Sequence, residues 1–295
     1  MLANNGSKIA LHFSHPPRRV ISLVPSLTES LFDLGFGSSV VGITDYCVHP
    51  MEGLQGLPRL GGPKNPRLEQ ILELKPDLVL LNQEENTRQV VEALQTRGMP
   101  IWVTFPRTVR EALDILWTLA GVYQSPTAAA RIETIERAVK WNIDSIEDTK
   151  TVPYFCPIWQ ESDGRGSHWW MTFNQFTYAA DVLRVLGGEN VFANRSRLYP
   201  LAADLGKAEA QDPGEADTRY PRVSQEEVQA AEPEMILLPS EPYAFGEEHR
   251  VEICQLFSAT PAVKKGRVHN VDGSLITWHG TRLARAIQEL PALFA

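Results

Sequence analysis

Leu68-Glu69-Gln70-Ile71-Leu72-Glu73-Leu74-Lys75-Pro76-Asp77-Leu78-Val79-Leu80-Leu81 is answered 157 residues later by Gln225-Glu226-Glu227-Val228-Gln229-Ala230-Ala231-Glu232-Pro233-Glu234-Met235-Ile236-Leu237-Leu238. Each stretch reads as a short helix that opens on an acid, then proline, an acid and a wholly apolar strand. Proline ends the helix because it pushes the residue before it out of the helical region. In this register Glu69 pairs with Glu226, Asp77 with Glu234 and Glu84 with Glu241. Any helix–strand unit has something of this look, but a shared register of acids points to two lobes of like construction.

The alternation extends outward from both copies. Before the first copy, Val20-Ile21-Ser22-Leu23-Val24 reads as a buried strand broken by Pro25. Ser26 is placed to cap the following helix, and Glu29 completes a capping box. Val40 to Ile43 is a second strand, Val90 to Leu94 marks a helix, and Ile101 to Val103 is a further strand. Strands alternating with helices imply a parallel sheet covered on both faces. Ser125-Pro126 opens the longest helix, with apolar residues recurring at Ile132, Ile135, Val139 and Ile143 as far as about Glu147. Beyond it come strands at Val152 to Trp159 and near Trp169, a helix from Tyr178, the second copy of the repeat, and a strand at Arg267 to Val271. A last helix spans Arg282 to Leu290. Leu201 to Arg222 is polar and acidic and reads as a long exposed loop. The expected fold is α/β: two Rossmann-like lobes with parallel sheets joined by one long backbone helix, a ligand cleft lying between the lobes. The divisions are 1–124, 125–148 and 149–295.

Bulk properties exclude several classes. A formal net charge of −8 and the absence of any basic run beyond Lys264-Lys265-Gly266-Arg267 argue against nucleic acid. No apolar stretch has the length to span a bilayer. Met1 to Arg19 has no continuous apolar run, so no signal peptide is expected. Cys47, Cys156 and Cys254 stand far apart with no paired spacing, which argues against a disulfide framework or a zinc site. The 7 histidines show no HxH spacing and, apart from His12 and His15, no HxxH spacing, so no metal site is assigned. There is no GxGxxG after a strand, no Walker loop, no GxSxG elbow and no HExxH.

Taken in order, several runs resemble the helical-backbone family of periplasmic binding proteins, which deliver vitamin B12, ferric siderophores and haem to ABC importers. The runs are Arg19-Val20-Ile21-Ser22-Leu23-Val24-Pro25-Ser26-Leu27-Thr28-Glu29, Val41-Gly42-Ile43-Thr44-Asp45-Tyr46, Leu68-Glu69-Gln70-Ile71 with Lys75-Pro76-Asp77-Leu78-Val79, Arg222-Val223-Ser224-Gln225-Glu226, and Trp278-His279-Gly280-Thr281-Arg282. The resemblance covers about Arg19 to Leu290. It implies a non-enzymatic binding protein, without a cofactor, acting as a monomer. Its ligand is a small metal chelate, such as a corrinoid, and its partner an ABC permease. In such a family one acid on each lobe docks against the permease; the matching positions here are Glu69 and Glu226. The resemblance places the protein in the periplasm or at the outer face of the cell, while the missing signal peptide leaves the cytoplasm open.

Ligands of open α/β sheets bind beyond the carboxyl ends of the strands. The loops found there supply Tyr46, Glu84, Glu85 and Phe105 in the first lobe. They supply Trp159, Trp170 and Tyr243 in the second, and Trp278, His279 and Arg282 near the chain end. Aromatic side chains offer large contact areas at small entropic cost and suit flat or greasy ligands. Trp169 and Trp170 are neighbours in a strand, so at most one faces the ligand. Arg282 is equally suited to gripping an anion and to a structural ion pair. Glu84 and Glu85 favour a cationic or metal-bearing ligand, although loop acids are more often merely solvated. The competing class is a two-lobed transferase or small-molecule sensor using the same residues, with Glu84, Glu85 or His279 as acid or base. Turnover against simple saturable binding separates the two.

Overall fold

The computed structural model describes residues 15–162 and 168–294. The chain forms two compact units. The first takes the chain up to Ala138 together with Trp278–Ala284; the second takes Val139–Thr277 with Arg285–Ala295. Helix Pro126–Ile146 runs through the boundary.

In the first unit four parallel strands lie side by side in the order Val40–Ile43, Val20–Ser22, Leu78–Asn82, Ile101–Thr104. The central strand Leu78–Asn82 is buried along its whole length, as a strand covered by helices on both faces must be. On one face Ile21, Leu23, Val79 and Leu81 pack with Ile71 and with Val90, Val91 and Leu94 of helix Arg88–Thr96. Burying one such side chain stabilises by about 1.5–3 kcal/mol relative to leaving it in water.

The second unit repeats the plan. Its parallel sheet runs Gly188–Asn190, Val152–Phe155, Met235–Pro239, Val268–Val271. A three-stranded antiparallel sheet is added, in the order Arg222–Ser224, His168–Met171, Trp159–Ser162. The offset found in the sequence holds in three dimensions within each unit. Helices Leu68–Glu73 and Gln225–Ala230, and strands Leu78–Asn82 and Met235–Pro239, begin and end 157 residues apart. Lys75 and Glu232, also 157 apart, both take left-handed backbone, with φ of 45° and 46°. Their amides close the helices on Leu72 O and Gln229 O.

Four expectations change in detail. Ser26 does not cap its helix. Pro25 is already the first helical residue, Val24 is the cap without a side-chain bond, and Glu29 is drawn away to Arg282. The long helix keeps Ile132, Ile135 and Val139 buried, but Ile143 is 39% exposed. The stripe passes instead to Asn142, which donates to Val185 O at 2.6 Å. The stretch Leu201 to Arg222 is not a bare loop: helix Leu201–Asp204 carries a buried aspartate. Asp204 accepts the amides of Leu198 (2.9 Å) and Arg222 (2.8 Å) and the Arg195 guanidinium (2.9 Å). Lastly, Trp278–Ala284, which a linear division leaves in the second lobe, belongs to the first unit. Gly280 makes this possible. Its φ is 94°, and a Cβ there would stand 2.2 Å from Ser30 Oγ, so only glycine lets the segment lie against helix Pro25–Asp33.

Candidate ligand-binding faces

In the first unit polar side chains bond the loops after the strands Val40–Ile43 and Leu78–Asn82. Asn82 and Asn86 lock the loop that carries the paired acids. Asn86 Oδ1 accepts the Asn82 amide (2.7 Å), Asn82 Oδ1 accepts the Glu84 amide (2.8 Å), and Asn86 Nδ2 donates to Leu23 O (3.2 Å) and Pro63 O (2.9 Å). Glu84 is thereby exposed and Glu85 half-buried. Tyr46 stands on the turn after Val40–Ile43 and is 64% exposed. The Arg59 guanidinium holds that turn through the carbonyls of Thr44 (3.0 Å) and Cys47 (2.7 Å). Phe105 follows Ile101–Thr104 and is half-buried.

The returning segment brings Trp278 to the same unit. Its ring stands edge-on to His49 at 6.0 Å, and the Arg282 guanidinium lies 5.1 Å from its centre. His279 is buried, with Nε2 3.2 Å from Asn82 Nδ2, and burial pushes its imidazole down to about 4, so it is neutral at pH 7. Arg282 is buried too, and its charge is taken by Glu29: of the two roles open to it, the ion pair is the one it performs.

In the second unit Trp159, 38% exposed, packs edge-on to Tyr243 with ring centres 5.4 Å apart, and its indole N–H donates to Glu161. Tyr243 in turn contacts Phe245 (4.6 Å) and His249 (5.3 Å), and its hydroxyl lies 3.1 Å from His249 Nε2. The strand pairing decides between the adjacent tryptophans. Met171 sits opposite both Trp159 and Arg222, whereas Trp170 sits opposite Gln160 and Val223. Opposed residues share a face, and successive residues alternate. Trp170 therefore turns inward, fully buried against Phe257 at 4.9 Å, with its N–H on Gln160. It is a core residue and leaves the ligand-facing set; its half-buried neighbour Trp169 lies on the face that carries Trp159.

Among the described residues no group of three or more His, Cys, Asp or Glu is placed to hold a metal ion. Sequence reasoning missed a set of arginines at the edge of the antiparallel sheet, Arg195, Arg197, Arg219 and Arg222, interleaved with Tyr199 and Tyr220. The signal was the alternation of arginine and tyrosine on either side of an acidic stretch.

Two α/β units of like plan, each a parallel sheet with helices, give the chain the build of a binding protein. Residues 20–275 match the family described as periplasmic binding protein, and the chain belongs to that family. It is 28% identical over 231 residues to the vitamin B12-binding protein of Photorhabdus laumondii, spanning 77% of this chain and 74% of the relative. It is 24% identical over 281 residues to the uncharacterized ABC transporter substrate-binding lipoprotein YvrC of Bacillus subtilis, spanning 93% and 79%. Among solved structures it is similar to the periplasmic vitamin B12 binding protein BtuF of Vibrio cholerae. There the TM-score is 0.74 at 21% identity, over 95% of this chain and 97% of that one. It is also similar to the periplasmic heme-binding protein RhuT of Roseiflexus sp. RS-1, with a TM-score of 0.68 at 20% identity over 94% and 97%.

Proposed function

We propose that this chain is the substrate-binding component of an ABC-type importer, that it works outside the cytoplasmic membrane as a monomer, and that its ligand is a metal chelate of the corrinoid class. The observation that carries the reading is the Trp159–Tyr243 pair, two partly exposed rings of one unit, Trp159 opening an antiparallel strand and Tyr243 following the strand Met235–Pro239. In the other, Tyr46 and Phe105 follow parallel strands, and Trp278 follows the helix Ser274–Thr277. Rigid rings present contact area without freezing many rotamers, which suits a broad, flat ligand. Glu84 and Glu85 favour a ligand with a cationic centre. His279 contributes through Asn82 to the loop that carries them. The relatives named for vitamin B12 and heme support the chelate class. Binding without turnover fits a family of binding proteins.

Glu69 and Glu226 are the proposed permease contacts. Each is the second residue of its helix, 157 apart, and each is exposed. Arg97 approaches Glu69 only to 3.7 Å, and the Ser224 hydroxyl holds the Glu226 carboxyl below its usual range.

The test is titration with cyanocobalamin, haemin and a ferric siderophore, followed by tryptophan fluorescence. Micromolar or tighter binding of one of them is expected, weakened roughly tenfold or more by Trp159→Ala, since a well-packed aromatic anchor is worth about 1–2 kcal/mol or more. Failure of all three at micromolar concentration removes the metal-chelate reading.

A further inference from the structure

Across the antiparallel sheet from Trp159, at the opposite edge, four arginines meet three acids. The acids are spoken for. Arg195 reaches Asp204 (2.9 Å) and Glu227 (3.1 Å), and Arg219 takes Asp217 at 2.6 and 3.0 Å. Arg197 and Arg222 have no carboxylate within ion-pair distance among the described residues, and the buried Nε of each has no hydrogen-bond partner. Arg222 donates from Nη1 to Tyr220 O at 2.9 Å. The Arg197 guanidinium lies on the Tyr199 ring at 4.2 Å, and that ring is fixed by its hydroxyl on Asp217 O (2.7 Å). Both side chains are half-buried, which weakens the screening of their charges by water. Arg222 is held below the usual arginine range by its own burial first and by the charge of Arg197 second.

Asp204 offsets part of the charge on Arg222, but its oxygens are taken by Arg195 and by backbone amides, which leaves both guanidinium groups without a carboxylate contact among the described residues. Guanidinium forks match the paired oxygens of carboxylate and phosphate, and stacking on Tyr199 aims one fork before any ligand arrives. The register gives the reach. Arg222 and Trp159 both oppose Met171 on neighbouring strands, so they share a face two strand spacings, about 10 Å, apart.

We propose that Arg197 and Arg222 form an anion subsite, which takes a carboxylate or phosphate arm of the ligand whose flat body lies on Trp159 and Tyr243. The placement of the body rests on the function proposed above; the anion site does not.

The test begins with anions alone. Citrate and inorganic phosphate are titrated into the ¹⁵N-labelled protein while the arginine Nε–Hε resonances are followed. Saturable shifts of Arg197 and Arg222 are expected, with citrate favoured if the arm is a carboxylate and phosphate if it is a phosphate. Arg197→Gln, which disturbs no hydrogen bond of the fold, should weaken the preferred anion roughly tenfold, the scale of one charge-assisted contact; Arg197→Lys should restore part of it. The second arm measures haemin and cyanocobalamin in Arg197→Gln. A chelate that binds the wild-type protein should lose affinity by a similar factor. If neither anion shifts these two resonances, or if the variant binds anion and chelate undiminished, the subsite does not exist. If the anions bind there while no chelate binds at all, the subsite stands and the proposed function falls.

Discussion

Arg282 and Glu29, 253 residues apart in the chain, meet as a buried two-point ion pair, with nitrogens 2.6 and 2.8 Å from the two carboxylate oxygens. Removing one member leaves the other charged and out of water. Arg282→Met or Glu29→Leu alone should each cost about 3–5 kcal/mol, whereas the double replacement should recover most of it, because an apolar pair avoids the desolvation altogether. Denaturant unfolding of the three variants checks this. Glu29 already sits above its usual range, because burial outweighs the help of Arg282. In Arg282→Met it rises further. A carboxyl whose folded value exceeds its unfolded one stabilises below the unfolded value, so that variant should lose stability as pH rises past about 4.5.

His279 gives the opposite dependence. Its folded value of about 4 lies below the ordinary 6.5, because the charged form would be buried. The native state is favoured fully above 6.5, and that advantage is lost as pH falls towards 4. The loss amounts to at most about 1.4 kcal/mol per pH unit, or about 3 kcal/mol in all. His279→Asn should flatten the unfolding midpoint over this window. An unchanged profile would mean that other groups govern the acid limb.

Lys75 and Glu232 carry side chains in left-handed backbone, a conformation that favours glycine. Each residue closes its helix through a backbone bond that glycine keeps. Lys75→Gly and Glu232→Gly should each stabilise by about 0.5–1 kcal/mol, and the effects should add, since the sites lie in separate units. Thermal unfolding of the two single variants and the double variant measures both.

The exposed acids at the repeated helix starts predict a separation of functions. Glu69→Lys with Glu226→Lys should leave ligand affinity within a factor of about two, because exposed charges act mainly on partner association. Uptake through the cognate permease should be lost. Retained uptake, or a parallel fall in ligand affinity, would rule out the docking role.

What the sequence disclosed depended on how local the cause was. The repeat was legible because proline, an acid and an apolar run act on their own neighbours, and they act alike at Leu68–Asn82 and Gln225–Pro239. The capping box at Ser26 was misread because Pro25, one residue earlier, starts the helix first. Strand alternation limited Trp169 and Trp170 to one outward face, but choosing between them needed the partner strands, which bring Val223 and Gln160 beside Trp170. Arg282 stayed ambiguous for the same reason: nothing near it in sequence announces Glu29. The segment around Asp204 looked unstructured because a single buried carboxylate, and not an apolar stripe, gathers its backbone amides.

The return of Trp278–Ala284 to the first unit bears on how the chain is made. Helix Pro25–Asp33 lacks the glycine and arginine that lie against it until the second unit has been made as far as Thr277. The first unit is therefore incomplete while the second is being made, although most of it is translated first. A fragment ending in the long helix should be soluble only with a supplied peptide spanning the missing segment, or with a chaperone. A circular permutant that moves this segment to the front would let the same unit mature early.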